Sequence, residues 1–389
     1  MNKATAIDLV ERARALATLI KQEADEIERT RRLTEPVVRA LIDNGMYRAL
    51  LPKSLGGAEA PLMTFMQMQE EIAKADASTA WCLGQCSVCA VISAYIDHDA
   101  ADEIFNSTPG ILAWGAINHD VRAEPGGYRA NARWEFASGI RQANWLGAHV
   151  RITEADGTPR KKADGSPEIR TILFPLSEAT LYDVWDVIGL RGTGTDSYSV
   201  NNLHIPEKFA ALRDDPSALR EKGPLYKIPT NAIYSMGFAA TSLGVARAQF
   251  DAAVELSRKK TPQGLTAMKE NTAVQGLIGL TEAKLRRARA YLFATAAEVW
   301  DDLNRGPFTE GHRVALRLAA TSTIHQSTEI VDVAYHMAGA TAVFRANGFE
   351  RRLRDMHAIN QQLQARDDHY ADMGKAILTG NFAGPPLAK

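Results

Sequence analysis

Ser138-Gly139 closes a run in which Tyr128, Ala130, Ala132, Trp134 and Phe136 alternate with Arg129, Asn131, Arg133 and Glu135. A period of two is the mark of a half-buried strand. A hydroxyl residue followed by glycine at the strand end lets backbone and Oγ approach a flat ligand, and a neutral hydroxyl hydrogen-bonds such a ligand without adding charge. A second constellation is Cys82, Cys86 and Cys89, a CxxxCxxC spacing that can hold an iron–sulfur cluster. The same positions are i, i+4 and i+7 of one helical face in a small, apolar run from Ala80 to Val91. Buried cysteine behaves as a small hydrophobe, and no βαβ alternation accompanies the motif, so we read the three thiols as core.

The elements that must position these residues fall into three stretches. Residues 4–45 repeat apolar side chains at helical spacing, 46–57 read as a turn, and helical pattern returns at 61–71 and 78–96, with Asp76 and Ser78 as N-cap candidates. From 111 to 209 strand-like pieces recur at 111–116, 128–136, 148–152, 171–175 and 198–205, with a polar loop at 155–168. After Pro229 the expected helices are 243–258, 273–303, 312–337 and a broken 349–378. The expected domains are 1–110, 111–215 and 216–389.

Composition narrows the function classes. Over 389 residues, 45 Lys and Arg balance 46 Asp and Glu without clustering, which argues against nucleic acid or an anionic membrane as partner. The apolar run 88–96 is too short to span a bilayer, and the N-terminus lacks the form of a signal peptide, so the expected location is the cytoplasm. Three cysteines argue against a disulfide scaffold. No metal site is expected.

The order of helices, small β-domain and helical bundle, taken with four motifs, resembles the acyl-CoA dehydrogenase superfamily over roughly Thr30 to Leu378. The motifs are the turn 51–57 (Leu-Pro-Lys-Ser-Leu-Gly-Gly), the strand 128–139, the loop 189–196 (Gly-Leu-Arg-Gly-Thr-Gly-Thr-Asp) followed by His204-Ile205-Pro206, and Arg354-Asp355. The resemblance implies an α+β, mainly α fold, with an N-terminal helical domain, a central small β-domain and a C-terminal four-helix bundle. A dehydrogenase of this family carries a carboxylate base nine residues after the arginine of the late Arg-Asp pair, where this chain has Leu363. The alternative position, on the first long C-terminal helix, has no carboxylate between Tyr234 and Gly244.

The segments Trp134–Gly139 with Trp145, Ala77–Trp81 and Arg191–Gly194 are instead similar to the flavin-dependent monooxygenases built on this fold, the oxygenase components of two-component systems. That resemblance implies reduced flavin (FADH2 or FMNH2) delivered by a separate NAD(P)H-flavin reductase. It implies reaction with O2 through a C4a-hydroperoxide, a small aromatic or heterocyclic substrate, and a homotetramer. It sets Ser138 beside flavin N5 as a catalytic group, and Trp81, Trp134, Phe136, Gly139 and Arg258 among the cofactor contacts, Arg258 toward a flavin phosphate. Trp134 is also read as a core aromatic. Gln362 stands where related hydroxylases place a histidine, and an amide cannot titrate. The proton-transfer role is then open to His369, His119 or His357, although His369 also reads as an exposed or capping residue and His119 as a turn residue. The segment 339–344 replaces a Gly-Gly-rich turn of the dehydrogenases, which puts adenine binding in their manner in doubt. The rival readings are an FAD-dependent dehydrogenase or oxidase with its base elsewhere, and a non-catalytic flavin-binding relative.

Overall fold

Helix α1 (Lys3–Thr30) buries Leu9, Ala13, Leu16, Ile20, Ala24 and Ile27, spaced three or four residues apart, so one apolar stripe faces the core. The computed structural model describes residues 3–115 and 119–379, and the last residue of the expected strand 111–116 lies outside them. Helix α2 (Glu35–Asp43) follows with proline in its first turn, then α3 (Leu62–Ala75), α4 (Ala77–Cys89) and α5 (His98–Phe105). Asp76 is the N-cap of α4, accepting from the backbone N–H of Thr79 at 2.7 Å.

All three cysteines lie buried along α4, and burial pushes the thiols of Cys82 and Cys89 up to about 12. They remain protonated and act as packing groups. By length and composition the helical run Ala77–Tyr95 is long and apolar enough to cross a membrane, contrary to the expectation from 88–96 alone. It is 94% buried inside the fold, which makes it a core helix.

The sheet runs in the order β6-β7-β3-β2-β4-β5-β8, with β1 beside β4. Its strands are β1 (Leu112–Trp114), β2 (His119–Glu124), β3 (Gly127–Ala137), β4 (Trp145–Thr153), β5 (Ile169–Pro175), β6 (Thr180–Tyr182), β7 (Asp196–Pro206) and β8 (Ala210–Ala211). β1 and β2 follow one another along the same edge of β4, both parallel to it. His119 therefore opens a strand, paired with Val150, and does not sit in a turn as expected.

Strand β3 departs from its expected alternation at one place. Tyr128, Ala130 and Trp134 are fully buried, but a bulge against β7 between Trp134 and Ala137 inserts an extra residue. Phe136 takes the left-handed conformation (φ 61°) and turns outward, 59% exposed, with its ring edge-on to Trp185. The same bulge returns Ala137 and Ser138 to the buried side.

The C-terminal part is built on α6 (Thr230–Lys259), α7 (Thr272–Leu303), α8 (Glu310–Ala338), α9 (Phe349–Asn360) and α10 (Asp368–Thr379). Helix α6 starts well before the expected position because its first turns are buried on all sides, leaving no polar face for periodicity to register. Packing of α6, α7, α8 and α9 against one another forms the expected bundle.

Helix α9 grips the loop 189–196. A Cβ at Gly189 would lie 2.1 Å from the carbonyl oxygen of Arg354, so only glycine lets the loop reach the helix backbone. One residue on, the Leu190 N–H donates to the Asp355 carboxyl at 2.6 Å. Burial, with repulsion from Asp76, pushes that carboxyl up to about 8. The folded chain then holds a proton that the unfolded chain has released, so this group's contribution to stability falls as pH rises from the ordinary carboxylate range through about pH 8. Asp355→Asn keeps an acceptor for Leu190 and removes the titration. Its melting temperature is expected to fall less than that of the parent chain between about pH 5 and about pH 8 in calorimetric scans.

Candidate functional site

Ser138 sits where β3, α4 and the loop 189–196 meet. It is 6% exposed, and its Oγ accepts from the indole N–H of Trp81 at 3.1 Å. The same oxygen bonds to Thr195 Oγ1 at 2.8 Å, and Thr195 Oγ1 bonds to Thr193 Oγ1 at 2.7 Å. Thr193 Oγ1 donates to the Leu190 carbonyl at 2.8 Å. Four side chains from three elements thus form one buried, uncharged hydrogen-bond chain. Its ends are held by α4 on one side and, through the backbone of Leu190, by α9 on the other.

The loop is locked from outside as well. Arg141 meets Asp196 with two hydrogen bonds, at 2.6 and 3.0 Å, and Asp196 is buried. This bidentate pair ties the turn after Ser138 to the start of β7.

Trp81 also carries an aromatic stack. Its ring lies 3.8 Å from that of Phe238 at an interplanar angle of 8°, and Phe238 stacks in turn on Tyr234 at 5.7 Å. Phe238 and Tyr234 are i and i−4 on α6, so a single helix face supplies both rings. The Tyr234 hydroxyl lies within 3.3 Å of Cys89 Sγ and accepts from Gln85 at 3.1 Å. Burial pushes the Tyr234 phenol well above its ordinary range, so it stays neutral.

The remaining expected residues go to different places. Gly139 (φ 81°) faces α4: a Cβ there would lie 2.5 Å from Cys86 Sγ, so this glycine serves close packing of strand end and helix. Trp134 is fully buried among His119, Phe174 and Tyr198, in keeping with its reading as a core aromatic. Phe136 points outward because of the bulge. Arg258 is exposed and paired with Glu255 on its own helix at 3.0 Å.

A second cluster lies at the end of α9. Helix α9 stops at Asn360, so Gln361 and Gln362 lie beyond it and not on a helix as expected. The half-buried Gln362 side chain accepts from the Gln364 N–H at 3.2 Å and caps the turn Leu363–Ala365. His369 is buried and not exposed as read from the sequence, because α10 folds its first turn back against α8. Thr321 Oγ1 donates to the Gln364 carbonyl at 2.8 Å, so the 2.7 Å contact between Thr321 and His369 Nδ1 requires the proton on Nδ1. Burial lowers the His369 pKa and keeps the ring neutral. His357 pairs with Asp332 at 2.9 Å, with its side chain 45% exposed.

Sequence reasoning missed Thr193, Thr195, Tyr234 and Phe238 as parts of the site. The available signals were two threonines inside an otherwise glycine-rich loop and two aromatics four apart on α6. Ser138→Ala leaves the buried Trp81 N–H without an acceptor and is expected to cost about 1–3 kcal/mol of stability. Adding Trp81→Phe removes the orphaned donor and should recover part of that loss, which a double-mutant cycle in denaturant unfolding measures.

The family model described as "Acyl-CoA dehydrogenase, C-terminal domain" matches residues 236–366, and "Acyl-CoA dehydrogenase, N-terminal domain" matches 5–104. The chain is 27% identical over 353 residues to indole-3-acetate monooxygenase of Pseudomonas putida, covering 90% of this chain and 88% of that one. It is 27% identical over 373 residues to HsaA of Rhodococcus jostii, a flavin-dependent monooxygenase oxygenase subunit, covering 90% and 92%. It shares its fold with XiaF from Streptomyces sp., solved with FADH2 and glycerol, at a TM-score of 0.89 and 21% identity over 98% of this chain and 97% of that one. The chain belongs to the acyl-CoA dehydrogenase superfamily, in the branch of flavin-dependent monooxygenases that serve as oxygenase components of two-component systems.

Proposed function

We propose that this chain takes reduced flavin from a separate NAD(P)H-flavin reductase and, with O2, oxygenates a small aromatic or heterocyclic molecule. The observation that carries this reading is where the buried carboxylates are. Among the described residues they are Glu70, Asp76, Asp196 and Asp355. Glu70 is held by Arg289 at 2.9 Å, Asp76 caps α4, Asp196 is clamped by Arg141, and Asp355 takes the Leu190 N–H. The position nine residues after Arg354 is Leu363, in a turn. None of the four is spare to abstract a substrate proton, which is what acyl-CoA dehydrogenation needs.

The residues around Ser138 fit a flat, uncharged ring: a neutral hydroxyl, an indole and further aromatic faces, with no ionised side chain in the chain of hydrogen bonds. Reduced flavin, when bound, supplies the electrons that activate O2. Ser138 would hydrogen-bond the ring edge and orient it, while the buried wall of α4 and α6 excludes water. His369, neutral with its proton on Nδ1, is the acid–base candidate best preserved by its surroundings. The substrates for which the relatives are named, indole-3-acetate among them, support an aromatic substrate as a class.

Heavy-isotope O2 tests the reading. With reductase and NAD(P)H present, one labelled oxygen atom is expected in each oxidised aromatic product, and none without reductase. Bleaching of oxidised FAD on the purified chain by an acyl-CoA, with no reductase added, would instead establish a dehydrogenase.

We also propose a homotetramer. The C-terminal half exposes Leu277, Leu280, Tyr291, Val343 and Phe344, an apolar surface that association would cover. Sedimentation equilibrium of the full chain is expected to give a tetramer, and a monomer at micromolar concentration would refute it.

A further inference from the structure

The hydrogen-bond chain at Ser138 has a direction. Carbonyls carry no proton to give, so the 2.8 Å contact between Thr193 Oγ1 and the Leu190 carbonyl is made with the threonine hydrogen. A hydroxyl has one hydrogen, so Thr193 can only accept from Thr195 at 2.7 Å. Thr195, its hydrogen spent, can only accept from Ser138 at 2.8 Å. At the far end the indole N–H of Trp81 is donor only, so Ser138 accepts from it at 3.1 Å. Reversing the chain would leave the Thr193 and Leu190 oxygens facing each other at 2.8 Å with no hydrogen between them. The direction is therefore Trp81 to Ser138 to Thr195 to Thr193 to the Leu190 carbonyl. Ser138 is left with no hydrogen to offer and one free lone pair.

We propose that the loop 189–196, acting through Thr195, fixes Ser138 as a hydrogen-bond acceptor only, so that the site favours a ring presenting an N–H over the same ring presenting a bare nitrogen. The inference rests on the proposed flavin contact at Ser138 and deepens it. Reduced flavin carries a hydrogen on N5, whereas oxidised flavin carries a lone pair there. Against the fixed Ser138 the reduced ring gains a hydrogen bond and the oxidised ring meets lone pair against lone pair. Thr193 and Thr195 are positioning residues that set which redox state of the flavin is held. For an enzyme supplied with reduced flavin by a separate protein, this gives retention of the incoming cofactor and release of the spent one.

The test is the ratio of dissociation constants for oxidised and reduced FAD, and for oxidised and reduced FMN, measured by anaerobic titration of the purified chain. In the parent chain the reduced form should bind more tightly. Thr195→Val frees the Ser138 hydrogen to donate and should lower the ratio about fivefold, chiefly by tighter binding of the oxidised form. Thr195→Ser keeps the hydroxyl and should keep the ratio. Thr193→Val removes the acceptor for Thr195, lets that hydroxyl turn toward Ser138, and should lower the ratio in the same sense. It serves as the second variant if Thr195→Val does not fold. Loss of structure alone would weaken both redox forms in parallel and leave the ratio where it was. A ratio unmoved in whichever valine variant folds overturns the inference, as does tighter binding of oxidised flavin by the parent chain. Failure of the parent chain to bind flavin in either state overturns the function reading itself.

Discussion

The site depends on the grip that α9 and its neighbours exert on the backbone of a single residue, Leu190. Its N–H is taken by the buried Asp355 carboxyl, and its carbonyl receives the Thr193 hydroxyl, the Thr193 N–H and the Trp185 indole N–H at 2.8, 3.1 and 2.9 Å. Leu190 itself is left-handed, with φ 51°, a conformation costing a non-glycine residue about 1–2 kcal/mol. Four hydrogen bonds of about 1 kcal/mol each offset that strain. With Leu190 held, Thr193, Thr195 and then Ser138 have their places, although they belong to other parts of the chain. The C-terminal helices thus set the orientation of a hydroxyl at the end of a central strand.

Electrostatics around Ser138 follow from burial. Arg141 is tied to Asp196, and desolvation keeps Tyr234 and Cys89, hydrogen-bonded to each other, neutral. A neutral, dry wall of hydroxyl and aromatic groups is poorly suited to abstracting a proton from carbon. It suits the protection of a reactive, uncharged ring from water. The difference between the chemistries this fold supports thus comes down to which buried acids remain free, and here the buried acids hold structure together.

Much of the fold was legible in the sequence because the relevant signals are local. The stripe on α1, the cap at Asp76, the alternation from Tyr128 to Trp134 and the face that carries the three cysteines each express a period or a capping preference within a few residues. The α–β–α order and the missing carboxylate at Leu363 needed only residue order and counting. The early start of α6 was not legible, since a helix buried on every side has no periodic signal. The bulge that turns Phe136 outward was not legible either, because a one-residue shift depends on the partner strand β7.

By itself, then, the sequence determined the fold class, the family branch and Ser138 as the residue to watch. Only the tertiary structure decided what Ser138 can do. Its partners come from positions 81, 193 and 195, and their common anchor is at 355. Hydrogen-bond direction is a property of the closed chain: it is set at the Leu190 carbonyl, which can only accept, and passed along residues distant in sequence. The same holds for His369, exposed by its local composition and buried by the packing of α10 on α8. Local periodicity specifies elements, but the state of a buried polar group depends on every partner the fold brings to it.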